Sequence, residues 1–190
     1  MADPAVVRLL LVSGSTRAGS TNTAALRAAR DAAPGGVLAT LYDGLSDLPA
    51  FNPDDEEHGL VDPAVASLRR QFAAADGVLF CTPEYAGTLP GSLKNLLDWT
   101  VGDGDLVDKP VAWVNAGGPG RGEAAQATLR TVLEYVSAVI VEDACAKLTV
   151  PRDAVGPDGE VGDAALRVRL GEIAGSLAEA IRDPRILNGR

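Results

Sequence analysis

The chain of 190 residues carries 26 Asp and Glu against 17 Lys and Arg, a formal net charge of -9. That balance argues against a nucleic-acid partner, because phosphate backbones are held mainly by clustered Lys and Arg. With 46% hydrophobic and 23% charged residues, the composition is that of a folded globular protein, and the length fits one domain over 1–190.

Residues 5–12 are almost continuous in Val and Leu, the pattern of a central parallel strand covered on both faces. No basic stretch with a small-residue cleavage site accompanies it, and no apolar run reaches the length of a membrane span. A cytoplasmic protein with no membrane partner is therefore expected. The two cysteines, Cys81 and Cys145, lie within or beside apolar segments and read as small buried hydrophobes in a reducing compartment.

The first strand runs into Gly-Ser-Thr-Arg-Ala-Gly-Ser-Thr-Asn at 14–22. Gly14 and Gly19 permit sharp turns and close approach to a ligand, Ser15, Ser20, Thr21 and Asn22 offer side-chain donors, and Arg17 offers a charged fork for phosphate oxygens. The helix expected at 21–33 adds unpaired N–H groups and the positive end of its dipole. The glycine spacing is that of a nucleoside-triphosphate loop, but Ser20 stands where the lysine belongs, so triphosphate hydrolysis is disfavoured. The loop is not G-x-G-x-x-G either, which disfavours a standard dinucleotide fold. Taken alone, it also fits an ordinary strand-to-helix turn with a serine cap.

Pro34-Gly35-Gly36 stops that helix, and a second strand follows at Val37–Tyr42. The acidic stretch 43–59 reads as a surface connection, with His58 a solvated residue lacking a second His or Cys nearby to share a metal. Asp62 and Pro63 open the next helix, with Val65, Leu68 and Phe72 along one side, and Gly77–Cys81 is the third strand. Behind it comes Thr-Pro-Glu-Tyr-Ala-Gly-Thr-Leu-Pro-Gly at 82–91. Pro83 and Pro90 restrict the backbone around Glu84, Tyr85 and Ala86, while Gly87 permits a positive dihedral. Such a loop can present fixed backbone groups to the edge of a flat heterocycle, and Tyr85 can stack on one or pack at a subunit contact.

A helix at 92–101, a fourth strand at Pro110–Asn115, a helix at 122–137 and a fifth strand around 139–148 complete the alternation. A surface connection at 151–162 leads into a closing helix at 163–181. Helix-length connections between apolar strands give a parallel sheet with helices on both faces. Five strands suit the flavodoxin-like α/β order 2-1-3-4-5, whose ligand crevice lies beyond the carboxyl ends of the neighbouring first and third strands. The two quoted loops sit at those ends, one suited to a phosphate and one to a ring, which together point to a flavin mononucleotide pocket.

The loops resemble those of the NADPH-dependent FMN reductases, a family that includes quinone-, chromate- and azo-dye-reducing flavoproteins of flavodoxin-like fold. The resemblance rests on GSTRAGSTN, on TPEYAGTLPGSLKNLLDW and on a small-residue loop after the fourth strand, and it covers nearly the whole chain. It implies that Ser15, Arg17, Ser20 and Asn22, with Thr21 beside them, bind the FMN phosphate. It implies also that Pro83, Glu84, Tyr85 and Ala86, with Gly87, run along the isoalloxazine, and that Ala116, Gly117 and Gly118 close over it. The activity implied is hydride transfer from NADPH or NADH through FMN to a quinone or other small acceptor in a ping-pong cycle, with the cofactor carrying the chemistry and no catalytic dyad needed. Arg121 is a candidate for the extra phosphate of NADPH. Homodimers or homotetramers are implied as well. Ala86 departs from the asparagine usual in the family, which removes a side-chain amide expected near the ring. The rival readings are a flavodoxin-type electron carrier and a nucleotide-binding module without turnover.

Overall fold

The computed structural model describes residues 6–57, 61–183 and 185; His58, read above as a solvated residue, lies outside them. The first half alternates as β1 (Val7–Ser13), α1 (Thr21–Asp31), β2 (Val37–Tyr42), α2 (Pro53–Glu57), α3 (Pro63–Ala74), β3 (Gly77–Cys81) and α4 (Gly91–Trp99). The second half is β4 (Pro110–Asn115), α5 (Glu123–Tyr135), β5 (Val139–Ile140), β6 (Ala146–Lys147) and α6 (Ala164–Arg182). The strands form one parallel sheet in the order β2-β1-β3-β4-β5, with β6 also paired to β4. This is the expected flavodoxin-like order.

Alternation along β1 explains its continuous apolar run. Leu9 and Leu11 point into a core shared with α1 and α6, whereas Leu10 and Val12 point into a second core shared with α3, α4 and α5. Side chains on both faces are thereby removed from water. On the first face α6 packs closely against the end of α1, where a Cβ at Gly171 would come within 2.2 Å of the Ala32 carbonyl oxygen.

Four sequence expectations change in the folded chain. The fifth strand is broken: β5 pairs with Pro110 and Val111, β6 with Val114 and Asn115, and the outer chain spends three more residues than β4 between them. The excess forms a 3-10 turn at Glu142–Ala144, which lets Glu142 leave the sheet and meet Arg130 at 2.6 Å. A carboxylate pair in mid-strand would otherwise be desolvated on a covered sheet. Cys145, at the end of this turn, is half-buried rather than buried.

The acidic stretch after β2 is not merely a surface connection. It holds the short α2, buries Leu45, and sets Phe51 edge-on to Trp99 with ring centroids 4.9 Å apart. The segment 151–162 also turns inward, burying Val161 completely.

Register places the site. Ser13 lies opposite Cys81, and Cys81 opposite Val114, so the chain leaves β1, β3 and β4 along one edge of the sheet.

Candidate active site

The loops after β1, β3 and β4 converge on a cavity of about 570 Å³, a size in the range of small-molecule and cofactor sites. Of the residues proposed from sequence, Ser15, Arg17, Ser20, Thr21, Asn22, Pro83, Glu84, Tyr85, Ala116, Gly117 and Gly118 line it. Ala86 and Gly87 stand outside that lining.

The first loop meets the cavity at the N-terminus of α1. Ser20 is the cap residue of that helix, and its Oγ accepts from the Thr23 N–H at 3.4 Å. The turn before it is tightened by Ser15, whose Oγ accepts from the Arg17 N–H at 3.3 Å, and by Gly19 at φ +68°. The Arg17 guanidinium forms no ion pair among the described residues and is free for a ligand anion. Gly14 has a different role from the one expected. A Cβ there would come within 2.2 Å of Thr82 Oγ1, so glycine is what lets the first loop lie against the second.

Beneath the loop, the Cys81 thiol donates to Asn22 Oδ1 at 3.3 Å. Burial pushes that thiol up to about 12, which keeps it protonated and able to donate. Asn22 is itself buried, and this bond orients its amide from below.

The second loop is a tight two-residue hairpin. Tyr85 and Thr88 exchange both backbone hydrogen bonds, at 3.0 and 3.1 Å. Ala86 at φ +50° and Gly87 at φ +73° occupy the turn, and positive φ at both central residues marks type I′. Asn-Gly is the favoured pair in such a turn, so an asparagine at position 86 is suited to the backbone there whatever else it contacts. Glu84 is turned toward α5: its Oε2 accepts from the N–H groups of Ala124 and Ala125 at 3.0 and 3.4 Å. The α5 cap residue, Gly122 at φ +83°, has no side chain to do this, so Glu84 supplies the cap across the cavity.

The third loop is held by Asn115, whose Oδ1 accepts from Gly117 N–H and whose Nδ2 donates to the Arg121 carbonyl, both at 3.0 Å. The wall beyond it was missed in the sequence. Leu148 N–H donates to the Asn115 carbonyl, Val150 N–H to the Ala116 carbonyl, and Thr149 Oγ1 to the Gly117 carbonyl. These bonds carry 149–152 along the third loop and into the cavity wall, together with Arg121 and Gly122. No local signal marks 149–152, because its placement follows from the broken fifth strand. Asn115 and Thr82 had a signal, since each ends or directly follows a strand at the ligand-bearing edge.

The donor set divides in two. One end offers hydroxyls, Arg17 and the α1 N-terminus, a match for a phosphate dianion. The other offers backbone and the Tyr85 ring at 83–85 and backbone with small side chains at 116–118, a match for the faces and edge of a planar ring. These residues fit a flavin mononucleotide. Among the described residues there is no cluster of His, Cys, Asp or Glu suited to a metal ion, and no helix long and apolar enough to cross a membrane.

A family model described as NADPH-dependent FMN reductase matches residues 7–149. An NAD(P)H-dependent FMN reductase of Pseudomonas aeruginosa is 39% identical over 133 residues, covering 68% of this chain and 71% of that protein. An NADPH:quinone oxidoreductase of Arabidopsis thaliana is 36% identical over 132 residues, covering 67% of this chain and 66% of that protein. Among solved structures, a flavoenzyme NAD(P)H:(acceptor) oxidoreductase from Paracoccus denitrificans superposes with a TM-score of 0.75 at 27% identity, covering 92% of this chain and 98% of the other.

Proposed function

This chain belongs to the NADPH-dependent FMN reductase family, and we propose that it passes a hydride from NAD(P)H through bound FMN to a quinone or other small acceptor. The observation that carries the reading is the convergence of three strand-end loops on one cavity with a phosphate-suited end and a ring-suited end. The flavin supplies the hydride chemistry when bound, and the fold supplies grip, orientation and electrostatics.

Ser15, Arg17, Ser20, Thr21 and Asn22 hold the phosphate in this reading, through a guanidinium, hydroxyls and the α1 N-terminus. Pro83, Glu84 and Tyr85 line one side of the ring through their backbone and the tyrosine face. Ala116, Gly117 and Gly118 line the other, where the absence of bulk allows close approach. Ala86 and Gly87 serve by turning the chain so that Tyr85 and Thr88 stay paired. One open cavity for two small reactants is compatible with alternating occupation, hence a ping-pong order. We take the chain to act as one domain over 1–190, in the cytoplasm and as a homodimer or homotetramer. Exposed Tyr135, at 87%, suits a subunit contact.

The test begins with the visible spectrum of the purified chain and the identity of any released chromophore. Steady-state oxidation of NADPH and NADH is then followed with benzoquinone as acceptor and no other protein present. Yellow protein releasing FMN and sustained turnover are expected. Colourless protein that takes up no FMN on reconstitution overturns the reading, and FMN-loaded protein without turnover favours a one-electron carrier.

A further inference from the structure

The cavity holds more positive charge than one flavin phosphate accounts for. The chain as a whole is acidic, with 26 Asp and Glu against 17 Lys and Arg. Its cavity wall nevertheless carries Arg17, Arg121 and Arg152 against a single carboxylate, Glu84. That carboxylate is already engaged by the Ala124 and Ala125 N–H groups. Among the described residues none of the three guanidinium groups is in an ion pair. Unpaired arginines gathered in a cleft of an acidic molecule create a local potential that draws anions.

They do not sit together. Arg17 follows β1, whereas Arg121 lies in the loop after β4 and Arg152 follows β6. Because β3 separates β1 from β4, the two loop origins are about 10 Å apart at ordinary strand spacing. Arg152 starts from the far side of β4, tied there by the Val150–Ala116 and Thr149–Gly117 hydrogen bonds. The α1 N-terminus and Arg17 already match the one phosphate that FMN brings. The remaining two arginines, on the opposite wall, call for a second anionic group.

We propose that Arg121 and Arg152 form a second phosphate subsite, which holds a phosphate of the incoming nicotinamide dinucleotide and so positions its ring over the flavin; this rests on the reductase reading above. Guanidinium groups suit phosphate oxygens through paired, charge-assisted hydrogen bonds. Two phosphates of the dinucleotide have this chemistry, the 2′-phosphate present only in NADPH and the pyrophosphate common to both forms.

The test uses the FMN-loaded protein and the double variant Arg121→Gln/Arg152→Gln. Both side chains are exposed, so the variant is expected to fold, and the flavin spectrum and FMN dissociation constant check that it does. The expected result is a KM for NADPH raised about tenfold or more, the loss of one or two charge-assisted hydrogen bonds, with kcat and FMN affinity changed less than about twofold. Calorimetric titration with adenosine 2′,5′-bisphosphate should weaken in parallel. If NADH and ADP are unaffected, the subsite reads the 2′-phosphate; if both weaken equally, it reads the pyrophosphate.

Unchanged KM for both dinucleotides together with unchanged bisphosphate binding overturns the subsite while leaving the reductase reading intact. Loss of FMN in the double variant also overturns it, because the arginines would then belong to the flavin phosphate. Should the wild-type chain take up no FMN, the reductase reading falls, and the bisphosphate titration of wild type against variant still decides whether the subsite exists.

Discussion

Two residues separate ligand-directed from backbone-directed roles in the same motif. Arg17 is exposed, outside any ion pair among the described residues, and lines the cavity at the loop after β1. Arg17→Ala should therefore weaken FMN binding by about 10- to 100-fold, the value of one or two hydrogen bonds to a charged group. Melting temperature without FMN should hardly move, and fluorescence titration with FMN measures the difference. Ala86 is the converse case. It holds φ +50° outside the cavity lining, a conformation that costs an L-residue about 1 kcal/mol or more unless it is Asn, Asp or Gly. Ala86→Asn should raise stability by about 0.5–1 kcal/mol in urea denaturation, with FMN affinity little changed. A large gain in FMN affinity would instead mean that the amide reaches the ring. The thiol of Cys81 belongs to neither class; burial pushes it up to about 12, and it serves to orient Asn22.

At the scale of elements, α4 does more than fill the core. Asn95 and Trp99 are one helical turn apart and so share a face. Asn95 Nδ2 and Trp99 Nε1 both donate to the Pro49 carbonyl, at 2.8 and 2.9 Å, while Asn95 Oδ1 accepts from Phe51 N–H at 2.8 Å. The helix thereby clamps the segment between β2 and α3. Arg69 of α3 completes the arrangement by donating to the Trp99 carbonyl and pairing with Glu56 of α2 and with Asp103. Trp99 is fully buried. Trp99→Ala should cost about 3–5 kcal/mol, as large core truncations do, measured by urea denaturation. Amide exchange should speed up first around Phe51. The asparagine and tryptophan of the family pattern are visible in the sequence, yet their task is not, because the segment they hold is more than 40 residues away.

At the scale of the whole molecule, a raised carboxyl near this clamp couples stability to pH. Asp105 is half-buried, with its buried Oδ2 unpartnered among the described residues, and burial, with Asp103 nearby, pushes its carboxyl up to about 6 despite Arg69 and Lys109. A raised carboxyl binds its proton more tightly in the folded than in the unfolded chain. Its contribution to stability is therefore full below about pH 4, the unfolded value, and is lost as pH rises through about 6. Asp105→Asn should accordingly raise the urea midpoint at pH 8, and the advantage should vanish below about pH 4. An advantage that persists at low pH would assign the effect to packing instead of charge.

The layout of the sheet and the identity of two of the three loops were legible from residues alone. Covered parallel strands must be apolar throughout, helices must return the chain between them, and turns need glycine, proline and hydroxyls at set places. These are local demands that leave local marks. The broken fifth strand, the inward course of 149–152, the capping of α5 by Glu84 and the arrival of Arg152 at the cavity of Arg17 and Arg121 left none. Each depends on segments far apart in the chain reaching the same place, and only the packed fold, by bringing those backbones within hydrogen-bonding distance, decides which side chain faces the cavity and which supports its wall.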